Sequence, residues 1–155
     1  MISDRLKKFH AESSLGYILG TRDDQLKPSV SKPTHAKISD DGSHITFYMS
    51  NVDFETHESN LSSNGQLALS CAALPSHESY QYKGVYKNHR PATEEETGEI
   101  FGALERFGAG IIEMGFPSEM MEMFQDIIVV PATAIEFEVA EIFEQTPKPG
   151  TGNKI

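Results

Sequence analysis

Among the residues able to do chemistry, those between positions 28 and 84 have a spacing that points to a ligand. Lys32 and Lys37 stand in Lys32-Pro33-Thr34-His35-Ala36-Lys37, and Ser50, Asn51, Thr56 and His57 gather around the start of a predicted helix. Cations and hydroxyls beside a helix N-terminus are the donors that a small anion needs, since charge-assisted hydrogen bonds add to the helix dipole. Asp53, Glu55 and Glu58 surround the same turn and oppose it. Positions 32 and 37 also face opposite ways on a regular strand, so the two lysines converge only if Pro33 introduces a bulge.

Other chemistries find less support. Cys71, the single cysteine, lies in the apolar run Leu67-Ala68-Leu69-Ser70-Cys71-Ala72-Ala73 and reads as a small buried hydrophobe. His10, His35, His44, His77 and His89 show no metal-ligand spacing, so no metal is expected. There is no G-x-S-x-G, no P-loop and no G-x-G-x-x-G. Glu94, Glu95 and Glu96 suit a helix start rather than acid–base work. The sequence assigns no catalytic residue.

Composition narrows the class. With 13 basic and 23 acidic side chains the net charge is −10, which repels a polyanion such as DNA while leaving room for a small anion at a local cluster of donors. No apolar run approaches the roughly 20 residues that span a bilayer, and the N-terminal residues lack the apolar run of a secretory signal. A cytoplasmic location with no membrane partner is the expectation. At 155 residues the chain suits one domain over 1–155, with 145–155 an irregular tail.

The elements that must position these residues follow from periodicity. Ser3 caps a short first helix carrying Ile2, Leu6 and Phe9 on one side. Strands are predicted over 15–21, over 30–39 with a break at Pro33, and over 44–50 after the turn Asp40-Asp41-Gly42-Ser43. A polar helix over 53–63, capped by Asp53 and ended at Asn64-Gly65, directs Phe54 and Leu61 inward. A fourth strand carries Leu67, Leu69, Cys71 and Ala73, and a fifth spans 80–87. Thr93 and Glu96 form a capping box for a helix with Ile100, Leu104, Phe107 and Ile111 on one face. Pro117 opens a second short helix bearing Met120, Met121, Met123 and Phe124. The last strand system begins at Ile127 and alternates through Ile135, Phe137 and Val139. Strands interrupted by turns, with helices grouped early and late, predict an α+β fold: an antiparallel barrel or sandwich.

The layout also resembles the pyridoxamine 5'-phosphate oxidase-like FMN-binding split barrels, over roughly residues 3–152. Lys32 and Lys37 stand where that family places an Arg and a Lys on its second strand. Tyr48-Met49-Ser50-Asn51 matches a Tyr-Thr-Asn-like element, and Thr56-His57 precedes Leu61-Ser62-Ser63-Asn64 where the family has an Arg-Lys pair. Gln81-Tyr82-Lys83-Gly84 matches its Gln-containing strand, and Phe143-Glu144-Gln145-Thr146-Pro147 an ending common in small members. The resemblance implies a six-stranded antiparallel split β-barrel with flanking helices. It implies FMN held by Lys32, Lys37, Met49, Ser50, Asn51, Thr56, His57 and Gln81, in a homodimer with the cofactor between subunits. The activity implied is two-electron transfer from a reduced nicotinamide-type donor to a small acceptor. The alternative is a split barrel that binds haem or another ligand, or that has lost the flavin. The chain has no Trp and no late Arg-x-His element, so vitamin B6 oxidation is not implied.

Overall fold

The computed structural model describes residues 1–120, 129–149 and 151–155. Its elements are α1 (Asp4–Glu12), β1 (Ser14–Arg22), β2 (Pro28–Ser31), β3 (His35–Ile38), β4 (His44–Ser50), α2 (Asn51–Asn64), β5 (Gln66–Leu74), β6 (Ser79–Pro91), α3 (Glu94–Glu113) and β7 (Ala132–Glu144). The expected residues Met121, Met123, Phe124 and Ile127 lie outside the described residues.

All strand pairs are antiparallel, in the order β2-β1-β5-β6-β7-β4-β3. The segment expected as one strand over 30–39 is two. β2 pairs with β1 at one end of the sheet, and β3 pairs with β4 at the other. Pro33 explains the break, because it cannot donate a ladder hydrogen bond. Residues 32–34 therefore link the two edges of one sheet, which has to curl until they approach, and β3 packs beside β1 without a ladder. The result is a split barrel with seven strands rather than six.

Alternation fills the interior. Leu19, Ile45, Phe47, Met49, Leu69, Tyr80, Tyr82, Ile135 and Phe137 are closed to solvent, and Ile2, together with Leu6 and Phe9 of α1, packs on them. Asp41 accepts from the Ser43 N–H at 3.0 Å, and Gly42 takes a φ of 71°, which closes the turn before β4. Gly65 ends α2 at a φ of 67°.

Two helix details correct the sequence reading. Ser50, not Asp53, caps α2. Its Oγ accepts from the Asp53 N–H at 3.1 Å and donates to the Asp53 carboxylate at 2.7 Å. The α2 face turned inward carries His57 and Asn60 as well as Phe54 and Leu61. α3 begins at the expected capping box, and its Ile100 packs with Tyr48, Ala132 and Ala134 on the outer side of the sheet.

Candidate functional site

The outer faces of β1 and β5 are floored by small residues. Gly16 is one that the packing requires, since a Cβ there would stand 2.9 Å from the Phe107 ring. The ring of Phe107 and the side chain of Leu104 line a cleft of about 550 Å³ together with Ile18, Val30 and residues 32–34. Its lining is mainly apolar. Among the described residues it holds one cation, Lys32, and one carboxylate, Asp53.

A second hollow of about 330 Å³ adjoins the cleft and shares Gly16, Ile18 and Ala72 with it. Gln81 lines this hollow and donates from Nε2 to the Ser70 hydroxyl at 3.2 Å. Lys32 and Gln81 therefore flank one continuous surface. The alternation of β5 and β6 explains the placement, since Ser70 and Gln81 are register partners on the face turned away from the barrel core.

The other residues expected at a phosphate do not join them. Lys37 lies in a separate hollow of about 410 Å³ with Lys7, His10, His35 and Arg106, and is bound to Glu99 of α3 at 3.0 Å. Pro33 separates the two lysines instead of bringing them together, because it divides β2 from β3. Met49 is in the barrel core. Ser50 is engaged with Asp53, and Asn51 accepts from the Thr133 hydroxyl at 2.8 Å. Thr56 is on the exposed side of α2, outside the cleft lining.

His57 is buried completely, with Nδ1 2.8 Å from the Thr21 hydroxyl and, among the described residues, no hydrogen-bond partner for Nε2. Burial lowers its pKa, against the opposing pull of Asp53. A neutral, enclosed imidazole cannot hold a phosphate. The signal that would have found this is the spacing of Phe54, His57, Asn60 and Leu61, which puts all four on one helix face.

Two further clusters escaped the sequence reading. Glu96 accepts two hydrogen bonds from Arg90, both at 2.7 Å, and one from the Tyr48 hydroxyl at 2.9 Å. These bonds, Arg90 foremost, hold its carboxyl down at about 2. Inside the barrel His10 meets the Tyr82 hydroxyl at 3.0 Å, and burial pushes its pKa down to about 4. Cys71 is buried nearby, and its thiol is pushed up to about 12 by the same cause, which removes it as a nucleophile. Among the described residues no three His, Cys, Asp or Glu side chains are placed to hold a metal, and no helix is long and apolar enough to cross a membrane.

No family model and no curated protein sequence matches the chain. Solved structures do match by fold. HupZ from Group A Streptococcus aligns at 13% identity over 99% of each chain, with a TM-score of 0.55. A putative pyridoxamine 5'-phosphate oxidase from Lactobacillus delbrueckii aligns at 13% identity and a TM-score of 0.55, over 92% of this chain and 93% of the other. An F420 reductase aligns at 11% identity and a TM-score of 0.55, over 92% and 98%. The chain has the split-barrel fold of the pyridoxamine 5'-phosphate oxidase-like proteins.

Proposed function

We propose that the cleft beside Lys32 binds the ring system of a flavin, and that the protein is a flavin-dependent oxidoreductase. The observation that carries this reading is the cleft itself: about 550 Å³, largely apolar, and continuous with the amide of Gln81. A flat aromatic ring gains by leaving water for such a surface, and an amide offers both a donor and an acceptor to its polar edge. The names of two fold neighbours, a putative pyridoxamine 5'-phosphate oxidase and an F420 reductase, agree with this class of ligand.

The chain fits the two halves of FMN unequally. Ile18, Val30, Leu104 and Phe107 suit the ring. Among the described lining residues Lys32 is the one cation for the phosphate, with the Asp53 carboxylate in the same lining. When bound, a flavin supplies two-electron chemistry, and the protein's contribution is to place and shield the ring. The proposed exchange runs from a reduced nicotinamide-type donor to a small acceptor.

The same reading includes a homodimer with the cleft at the subunit interface. Ile18 and Val30 expose 50% and 64% of their surface at the cleft's edge, which is apolar area that a second copy would cover. Sedimentation of the purified chain tests this, and a monomer at all concentrations would count against it.

A second reading is a binding protein without flavin catalysis, and the Lys37–Glu99 pair favours it by withdrawing a cation from the site. Haem is the weaker occupant on this reading, since among the described residues the cleft lining contains no His, Cys or Met to ligate iron, and its tyrosine, Tyr17, is buried with its hydroxyl turned to His10. Titrating the purified chain with FMN and with haem separates the two. Saturable quenching of flavin fluorescence supports the first reading, and haem binding without flavin binding supports the second.

A further inference from the structure

The geometry points to a cleft that recognises the flavin ring and discriminates against the phosphate tail, with Asp53 as the residue that sets this preference. The inference rests on the flavin reading above and goes beyond it, because it names which flavin the chain favours.

A phosphate monoester carries close to two negative charges and is held by several convergent donors. Most of the donors beside this cleft, among the described residues, are engaged elsewhere. The Ser50 hydroxyl donates to the Asp53 carboxylate at 2.7 Å. The Asp53 N–H donates to Ser50 Oγ at 3.1 Å, and the Asn51 N–H to the Pro131 carbonyl at 3.0 Å. These bonds occupy part of the α2 N-terminus, where an anion would otherwise find its best partners. The Thr34 hydroxyl donates to the Tyr48 carbonyl at 3.2 Å, and Lys37 faces Glu99 in a different hollow. Lys32 and the Ser31 hydroxyl remain at the cleft, and the Asp53 carboxylate opposes them.

Among the described lining residues the charges of Lys32 and Asp53 cancel, so a dianion gains little from the site as a whole. The field of Asp53 reaches its surroundings, since it raises the affinity of the His57 ring for a proton against the stronger effect of burial. A tail rich in hydroxyls and free of charge meets no such opposition. Riboflavin, the flavin without the phosphate, is the matching ligand class.

The test is a pair of titrations of the full-length chain, with FMN and with riboflavin, read by quenching of flavin fluorescence. Riboflavin should bind as tightly as FMN or more tightly. Asp53→Asn removes the charge while keeping an oxygen for the Ser50 hydroxyl. It should raise FMN affinity about three- to tenfold and leave riboflavin within about twofold. Lys32→Gln, at an exposed position, should lower FMN affinity by a similar factor and riboflavin affinity by less, and if Asp53→Asn folds poorly the wild-type FMN-to-riboflavin ratio decides the matter.

Wild-type FMN affinity more than about tenfold above riboflavin overturns the inference and leaves the flavin reading standing. So does an Asp53→Asn protein that folds normally with an unchanged FMN-to-riboflavin ratio. Failure of both flavins to bind overturns the inference together with the reading it rests on.

Discussion

Nδ1 of His57 on α2 lies 2.8 Å from the hydroxyl of Thr21 on β1, in a contact closed to solvent. Asn60, one helical turn on, donates to the same hydroxyl at 3.0 Å and to Ser29 of β2 at 3.3 Å. The polar face of α2 is thus a fastening between helix and barrel. An imidazole used in this way is part of the architecture, and its titration belongs to folding.

Stability should fall as the pH drops below neutrality. Burial lowers the pKa values of His57 and His35, and brings that of His10 to about 4. Below the ordinary imidazole value of about 6.5 the unfolded chain takes up protons that the folded chain refuses, so the folded state loses ground down to about pH 4. His10 alone contributes on the order of 3 kcal/mol to this loss. Urea denaturation between pH 7.5 and about 4 measures it, and His10→Gln should flatten the slope. Flavin affinity should show no step from His57 across the same range. A stability profile flat to pH 4.5 would contradict this assignment.

Glu96 joins three parts of the fold: the start of α3, Arg90 at the end of β6, and Tyr48 on β4. Glu96→Ala should destabilise the protein by about 2–3 kcal/mol, because it strips the cap and leaves Arg90 and Tyr48 without their acceptor. Glu96→Gln keeps the acceptor oxygen and should cost about half as much. Its contribution to stability is present above the usual glutamate pKa and disappears as pH falls through about 2. Equal losses in the two variants, by chemical denaturation, would show that the carboxylate charge and not the hydrogen bonding dominates.

Gly84 sits at the irregularity where β6 shifts register against β7. A Cβ there would strike the Glu138 carbonyl and stand 2.7 Å from the Phe137 ring. Neither the backbone carbonyl nor the buried ring can yield cheaply. Gly84→Ala should therefore cost at least about 2 kcal/mol, while Gly98→Ala, with nothing among the described residues within 4 Å of its Cβ, should be neutral or stabilising. Thermal melts of the two variants provide the comparison.

Ile18 gives a variant aimed at binding rather than stability. Its side chain is half exposed on β1 and lines both the cleft and the Gln81 hollow. Ile18→Asp should lower flavin affinity at least about tenfold, since it puts a charge where the ring would lie, and sedimentation of the variant separates this loss from a loss of the dimer. Unchanged affinity would move the ring elsewhere.

Much of the fold was legible because its signals are local. Alternation in Ile45, Phe47 and Met49, the Asp41-Gly42 turn, Gly65 at the end of α2 and the Thr93–Glu96 box each depend on a few neighbouring residues. What escaped depends on distant partners. Pro33 announced a break, yet whether β2 and β3 stay together or move to opposite edges is decided by β1 and β4. The lysines at 32 and 37 share a spacing with a known binding pattern, but Glu99 of α3 draws one of them away. Thr56 and His57 are adjacent in sequence, and the helix turn sends one outward and the other into Thr21 and the core. Gln81 lines the hollow beside the cleft, on the face that strand alternation fixes without help from elsewhere.

The direct test is a flavin titration of the purified full-length chain alongside the Ile18→Asp protein. The account predicts saturable quenching of flavin fluorescence and a raised melting temperature for the wild-type chain, with both effects weakened by the substitution. Absence of quenching and of any thermal shift with FMN and with riboflavin alike would contradict it.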